Sequence, residues 1–437
     1  MSEPGDEDGR ALPALKTEIP GPESVALIDV LARHESPGVT ARRGRANEAR
    51  GLDRDPIVWE RSRGSNVWDA DGNRYLDLTS GFGVALIGHG HPRVVETVHQ
   101  QSELLMHAMG DVYPNPPRIR LMERLAERAA GDLSQCILTS GGAEAVEAAL
   151  KTAALSSGRP GVLAFEGSYH GLSYGALAVS HYKESFRAPF MGQLGPHVIH
   201  RPYGEDLTRL EALLAGPEAH EPAIGAILVE PILGRGGQVS PPAGWLTGLR
   251  SLADRHGAVL IFDEIYTGLG RCGDWWGGDA EGVVPDVVCV GKALGGGMPI
   301  SAAIARPQIM AAWGQSQGEA IHTSTFLGHP VTSAAALAAL DVLEEMDAPK
   351  RARAIEAQVR ERFRDRVRGR GAMLGVETGS PGLAARLTGR LLSEGILVLP
   401  GGVDGDIVGL TPPLVITDEQ LDWGLGAIDR AIEAERG

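Results

Sequence analysis

Val287-Val288-Cys289-Val290-Gly291-Lys292-Ala293-Leu294-Gly295-Gly296-Gly297 is the stretch on which the fold turns. Four apolar residues, three of them β-branched, read as a short buried strand that ends in glycine, a single lysine and a further run of glycines. A lysine at the end of a buried strand, followed by glycines that let a ligand approach the backbone, is placed for covalent chemistry with an aldehyde. Taken alone, Lys292 reads more readily as a solvated lysine before a loop, because most lysines are exposed. The runs around it decide between the two.

Working outward, Ala258-Val259-Leu260-Ile261-Phe262 leads into Asp263-Glu264, and Ala226-Ile227-Leu228-Val229 ends at Glu230-Pro231. Gly161-Val162-Leu163-Ala164-Phe165 precedes Glu166-Gly167-Ser168-Tyr169-His170, and Cys136-Ile137-Leu138-Thr139 precedes Ser140-Gly141-Gly142. Helical spacing fills the gaps: Val146, Ala149, Leu150, Ala153 and Ala154 share one face, and Leu246, Leu249, Leu252 and Ala253 share another before Gly257 stops that helix. Strands alternating with helices imply an α/β fold with a mainly parallel sheet covered on both faces. Ligands of such sheets bind beyond the carboxyl ends of the strands, so the polar residues that end these runs converge.

Elsewhere the pattern changes. Residues 1–23, rich in Pro, Gly, Asp and Glu, predict a mobile arm. Val58 to Asp77 predicts two strands joined through Asp71-Gly72, and long helical patterns run from Val331 to Met346 and from Arg351 to Val367. A shorter α+β segment from Gly371 to Gly437 then pairs with the early hairpin as a smaller domain. The expected organisation is an arm over 1–23, the first part of the small domain over 24–80, a large domain over 81–335 and the rest of the small domain over 336–437.

Hydrophobic residues at 43% and charged residues at 22% fit an ordinary globular protein, and a net charge of -15 argues against nucleic acid or an anionic membrane as partner. The 59 glycines, about twice the usual share, cluster after apolar runs, where turns and ligand-facing backbone are needed. Cys136, Cys272 and Cys289 are too few and too scattered for a disulfide framework or a zinc site, which fits a reducing cytoplasm. No basic start followed by an apolar segment opens the chain, and no stretch approaches a membrane span.

The residues at the strand ends describe one chemistry. Ser140-Gly141-Gly142-Ala143-Glu144 offers uncovered amides at a helix start, which suits a phosphate, although a glycine-rich turn is also plain strand-to-helix geometry. Tyr169 is placed to stack on a planar ring or to pack in a core, beside His170. A carboxylate such as Asp263 beneath a pyridine nitrogen raises that nitrogen's pKa, and the cationic ring then draws in the electrons left when a substrate Cα–H bond breaks. Asp263-Glu264 by itself also reads as a solvated acidic pair; a metal site is disfavoured because no His or further carboxylate stands at ligand spacing. With Lys292, these residues describe a pyridoxal 5'-phosphate site.

From about Pro56 to its end the chain resembles the class III aminotransferases, members of the fold-type I pyridoxal phosphate enzymes. The likeness rests on Asp69-Ala70-Asp71-Gly72-Asn73-Arg74-Tyr75-Leu76-Asp77, Gly88-His89-Gly90-His91-Pro92, Ser140-Gly141-Gly142-Ala143-Glu144-Ala145-Val146-Glu147 and Tyr169-His170-Gly171. It continues through Glu230-Pro231, Asp263-Glu264-Ile265-Tyr266-Thr267-Gly268-Leu269-Gly270-Arg271, the Lys292 motif and His322-Thr323-Ser324-Thr325-Phe326. The order and spacing of these motifs are more specific than any one of them. The resemblance implies a large mainly parallel-sheet domain with a smaller α+β domain. It implies that Lys292 bonds covalently to the cofactor's aldehyde and moves the proton between Cα and the cofactor carbon. Asp263 would meet the pyridine nitrogen, Tyr169 would stack on the ring, and Gly142 and Ala143 would bind the phosphate. Ser140, Gly141, His170 and Tyr266 complete the expected cofactor-binding set. Tyr266 stands where relatives often carry glutamine. Thr325 would reach the phosphate of the partner subunit, implying a homodimer with shared active sites.

Two arginines that hold carboxylates in relatives acting on ornithine or 4-aminobutyrate are replaced here by Leu172 and Gly409. Arg235, where relatives often hold glutamate or glutamine, is a candidate for a substrate carboxylate, and Phe82 for an apolar pocket wall; the competing readings are a surface arginine and a core aromatic. The expected activity moves an amino group between a primary amine, ω-amino acid or amino sugar and a keto acid or aldehyde acceptor in two half-reactions. The alternative is an amino-acid racemase or epimerase using the same Lys292 and Asp263. A non-catalytic binding module is disfavoured because the expected cofactor positions hold competent residues.

Overall fold

The computed structural model describes residues 8–49, 51, 56–215, 223–315 and 318–435. The chain forms two compact units, one of Met1–His91 with Arg351–Gly437 and one of Pro92–Lys350. A division after 335 would cut the helix Pro330–Glu345, which is continuous and buries Val331, Ala335, Ala339 and Leu343. That face packs on helices Pro92–Leu104 and Pro116–Arg128, so the helix belongs with the second unit.

The second unit is built on seven strands: β1 (Gln135–Thr139), β2 (Gly161–Phe165), β3 (Val198–Arg201), β4 (Ile224–Val229), β5 (Val259–Asp263), β6 (Val287–Val290) and β7 (Ser301–Ala305). Their order is β1-β7-β6-β5-β4-β2-β3. All pairs from β6 to β3 are parallel, while β7 runs antiparallel to both β1 and β6. The parallel strands β4, β5 and β6 are buried along their whole length, which matches their unbroken apolar sequences. Helix α1 (Gly142–Ser157) covers one face, packing Ala145, Ala148, Ala149 and Ala153 against Ile261, Cys289, Ala303 and Ala305 in one core. Alanine on both sides brings the helix backbone close to the sheet. Helix α2 (Trp245–His256) ends at Gly257, which is left-handed at φ 60 as the sequence predicts.

In the first unit the segment from Val58 to Asp77 holds three strands where two were expected: Trp59–Arg63, Asn66–Asp69 and Arg74–Asp77. Gly64-Ser65 makes the first reversal and Asp71-Gly72 the second, with Asp69 Oδ1 accepting from the N–H of Asp71 at 3.1 Å and of Asn73 at 2.8 Å. Ile396–Leu397 adds to this sheet parallel to Arg74–Asp77, so the C-terminal segment pairs with the early strands. A second sheet has the order Val367–Arg370, Met373–Glu377, Ile407–Leu410, Leu399–Gly401.

The mobile arm expected over 1–23 is corrected where the structure describes it; residues 1–7 lie outside the described residues. Ala14 and Arg74 exchange backbone hydrogen bonds of 3.0 and 2.8 Å, and the fully buried Asn66 side chain bonds both backbone groups of Ala11. A buried amide needs partners, and the arm supplies them. Among the described residues, no helix is long and apolar enough to cross a membrane.

Candidate active site

Asp263 closes β5 and Glu230 follows β4, while Lys292 follows β6 after one glycine. Because β5 and β6 are parallel and adjacent, with Asp263 opposite Cys289, the aspartate and the lysine emerge at the same edge of the sheet. β7, antiparallel to both neighbours, sets Thr139 opposite Ser301 and Val290 opposite Ala302, so the end of β1 and the start of α1 share that edge.

Three glycines allow close approach. A Cβ at Gly142 would lie 2.9 Å from Ile265 Cδ1, and one at Gly291 would lie 2.6 Å from Ser301 Oγ. Gly171, at φ +123, has Ala143 against it: a Cβ there would stand 2.5 Å from the Ala143 Cβ. The first turn of α1 therefore lies directly against the loop that carries Tyr169 and His170. Glu147 of α1 ties the same loop down, its Oε1 accepting from Ser173 Oγ at 2.7 Å and from the N–H of Gly175 and Ala176 at 2.8 and 3.2 Å.

Asp263 is 4% exposed, and its Oδ2 lies 2.7 Å from Nδ1 of the buried His170. Its Oδ1 accepts from the Ile265 N–H at 3.1 Å. His170, expected in contact with the cofactor, is thus the partner of Asp263. His170 Nε2 is buried with no hydrogen-bond partner among the described residues, while the His170 N–H is held by Ser180 Oγ at 2.8 Å.

Lys292 has φ 42, a left-handed conformation that costs an L-residue energy and marks a position under constraint. Its Nζ lies over the Tyr266 ring, 4.4 Å from the centroid. Burial lowers the ammonium's pKa from its ordinary 10.5; the Asp263 and Glu230 carboxylates pull it up, and the charges of Arg235 and Arg271 push it down further. A lysine with a lowered pKa is a better nucleophile near neutral pH.

In the sequence Glu230 stands only in a Glu-Pro motif, and the fold gives it two backbone partners. Its buried carboxylate accepts the Tyr169 N–H at 2.8 Å on Oε1 and the Gly234 N–H at 2.9 Å on Oε2. Burial raises its pKa, against the pull of His170 and of the two N–H groups. The signal in the sequence was a carboxylate directly after a fully apolar strand. Arg235 lies over the Tyr169 ring at 4.2 Å and 5.9 Å from the Tyr182 ring. Ser140, Gly141, Gly142 and Ala143 surround the start of α1, where the first N–H groups have no helical carbonyl to bond. Gly141 has nothing within 4 Å of where a Cβ would stand, and since the Glu144 carboxylate already accepts the Ser140 N–H at 2.9 Å, the amides of Gly142 and Ala143 are the ones left for an anion. Thr325 and Leu172 are exposed. Phe82, 55% exposed at φ 64, lies in the first unit, as does Gly409 in the strand Ile407–Leu410. Trp245 is a core residue, its ring 4.9 Å from that of Phe165 and its Nε1 donating to the Glu205 carbonyl at 2.9 Å.

Pyridoxal 5'-phosphate fits these residues. The open helix start takes a phosphate, Asp263 held from two sides presents a carboxylate, and Lys292 supplies the amine. Among the described residues, no group of three or more His, Cys, Asp or Glu could hold a metal ion.

The family model described as aminotransferase class-III matches residues 48–432. The chain belongs to the class III aminotransferases. It is 39% identical to the acetylornithine aminotransferase of Methanopyrus kandleri, over 87% of this chain and 95% of the relative. With that of Corynebacterium efficiens it shares 38% identity, over 84% and 90%. Among solved structures, an (S)-enantioselective ω-transaminase from Thermomicrobium roseum superposes with a TM-score of 0.83 at 29% identity, over 94% of this chain and 98% of that one. A PLP-bound amine transaminase from an uncultivated Pseudomonas species gives 0.79 at 29%, over 87% and 95%. This class III aminotransferase is therefore a fold-type I transaminase whose cofactor is pyridoxal 5'-phosphate.

Proposed function

We propose that this aminotransferase takes the amino group of a primary amine, ω-amino acid or amino sugar and delivers it to a keto acid or aldehyde in two half-reactions, as a cytoplasmic homodimer. The observation that carries the reading is Lys292 itself: a strained, pKa-lowered amine at the same sheet edge as Asp263 and the open start of α1. An ω-amino group is the donor that the acetylornithine aminotransferase relatives are named for.

Bound there, the cofactor supplies an electron sink for the bond that breaks at the substrate Cα. The chain's residues do the rest. The first amides of α1 hold the phosphate, Tyr169 faces the ring, and Asp263, braced by His170 and the Ile265 N–H, keeps the ring nitrogen protonated. Lys292 Nζ would then accept the Cα proton and deliver it to the cofactor carbon on the far side of the shared nitrogen. Proton delivery to the cofactor carbon gives transfer, and return to the opposite face of Cα would give racemisation.

The partner contact draws support from an exposed apolar surface. Leu104, Met106, Met109 and Tyr113 lie exposed on one segment, and Ile321 and Phe326 on another. The segments adjoin, with the His107 ring 5.5 Å from that of Phe326 and Asn115 Nδ2 donating to the Gly328 carbonyl at 3.0 Å. Apolar exposure on this scale fits an interface with a second copy.

The test is an absorbance titration of the loaded enzyme with amines, ω-amino acids including N-acetylornithine, and amino sugars. Stoichiometric bleaching of a band near ~420 nm toward ~330 nm by one donor class is expected from the cofactor's chemistry. A band that no donor bleaches, with loss of optical rotation in an amino acid, would overturn the reading in favour of a racemase.

A further inference from the structure

Arg235 stands apart from the other basic groups near Lys292. Of the two arginines whose charge reaches the lysine, Arg271 is 1% exposed and already engaged, whereas Arg235 is half-buried and forms no hydrogen bond or ion pair with any described residue. Its guanidinium rests on aromatic rings alone, over Tyr169 at 4.2 Å with Tyr182 at 5.9 Å. Such stacking fixes the plane of the guanidinium and leaves its N–H edge free to donate.

The loop that carries Arg235 is stiff. Leu233 and Val239 exchange backbone hydrogen bonds of 3.0 and 3.2 Å across it, and a Cβ on Gly236 would lie 2.9 Å from the Gly167 carbonyl. Glu230 anchors the loop and the Tyr169 platform together through the N–H groups of Gly234 and Tyr169. Both carboxylate oxygens of Glu230 are thereby occupied, and neither pairs with the arginine. A preorganised, unneutralised fork beside the reacting amine is a receptor for a planar anion. The chain's net charge of -15 makes a local cation the more necessary for drawing an anionic substrate in.

We infer that Arg235, seated on Tyr169 and held in place by Glu230, is the receptor for a substrate carboxylate, so that at least one of the two substrates is an amino acid or keto acid bound through this arginine. The inference rests on the aminotransferase reading and names the substrate class of that same site. Arg235 is the binding residue and Glu230 a positioning residue acting through the loop.

The experiment is calorimetric titration of the loaded enzyme with succinate and with unreactive mono- and dicarboxylates of two to five carbons. Saturable binding by the wild type is expected, weakened about 10- to 100-fold in Arg235→Ala, the value of a charge-assisted hydrogen bond, and partly restored in Arg235→Lys. In Glu230→Gln the amide offers only one acceptor for two N–H groups, so carboxylate binding weakens while the ring platform also loosens, read as a change in the cofactor's circular dichroism. In kinetics, Arg235→Ala lowers kcat/KM for a carboxylate-bearing substrate by a similar factor relative to its carboxylate-free counterpart, through KM. Equal carboxylate binding by wild type and Arg235→Ala, or no saturable binding by the wild type across the series, overturns the inference. If carboxylates bind through Arg235 yet no amino donor converts the cofactor, the receptor stands and the aminotransferase reading fails.

Discussion

Lys292 must lose a proton before it can attack an aldehyde carbon, so its surroundings set the pH at which the site loads. Burial and the two arginines lower its pKa below 10.5, and Asp263 and Glu230 limit the fall. The rate at which apoprotein captures pyridoxal phosphate should therefore rise with pH to a midpoint below 10.5, and Asp263→Asn should move that midpoint lower still, because a charge that raised the pKa is gone. A midpoint moving upward in stopped-flow absorbance would contradict this. Lys292→Ala should leave no borohydride-reducible attachment and slow turnover at least about 10²–10⁴-fold, the range for a lost proton-transfer group. Glu264 behaves differently. Burial pushes its carboxyl from 4.5 up to about 7, against the hydrogen bonds from Thr267, Gly277 and Gly278. The folded chain holds this proton more tightly than the unfolded one, so its contribution to stability is complete below pH 4.5 and lost as pH rises through 7. Urea unfolding of the wild type relative to Glu264→Gln should lose about 3 kcal/mol across that window, and a pH-independent difference would refute the assignment.

At the scale of elements, the site depends on one join, where the first turn of α1 meets the Tyr169-His170-Gly171 loop. Gly171→Ala adds a methyl 2.5 Å from the Ala143 Cβ at φ +123, where an L-residue is itself strained. The expected loss is about 2–4 kcal/mol of stability, together with weaker cofactor binding as the amides of α1 shift, read by thermal unfolding and equilibrium dialysis. Unchanged cofactor affinity would mean that the join does not position the phosphate site. This join was half legible in the sequence. The motifs Ser140-Gly141-Gly142 and Tyr169-His170-Gly171 stood out, but their contact is a fact of tertiary packing. The fully buried strands β4, β5 and β6 were legible because parallel strands covered on both faces are apolar throughout. β7 was not, because Ser301-Ala302-Ala303-Ile304-Ala305 has little β preference and owes its strand to the small space beneath α1. β3 was hidden by His200 and Arg201. Glu230 and Glu147 bind backbone amides distant in sequence, and no local pattern signals that.

At the scale of the molecule, the proposed sharing of active sites makes a prediction that no single chain can satisfy. Thr325 is exposed beside the apolar surface around Phe326, and the reading gives its hydroxyl to the partner's phosphate. Thr325→Ala should then weaken cofactor binding by about 10-fold or more, the cost of a hydrogen bond to a charged group, without altering Lys292 in its own chain. Lys292→Ala has the opposite defect. A mixed dimer of the two variants contains one site with both residues intact and one with neither. If the variants are unfolded together and refolded as an equal mixture, half of the dimers are mixed, and roughly a quarter of all sites should be of wild-type composition. Activity should recover to roughly that fraction of wild type at limiting cofactor, although the Lys292→Ala homodimer is inactive and the Thr325→Ala homodimer poorly loaded. Sedimentation should show dimers throughout, and Met109→Glu, which places a charge on the exposed apolar surface, should shift the protein toward monomer and abolish the recovery. If the mixture only averages its parents, Thr325 serves its own chain or none, and the sites are not shared.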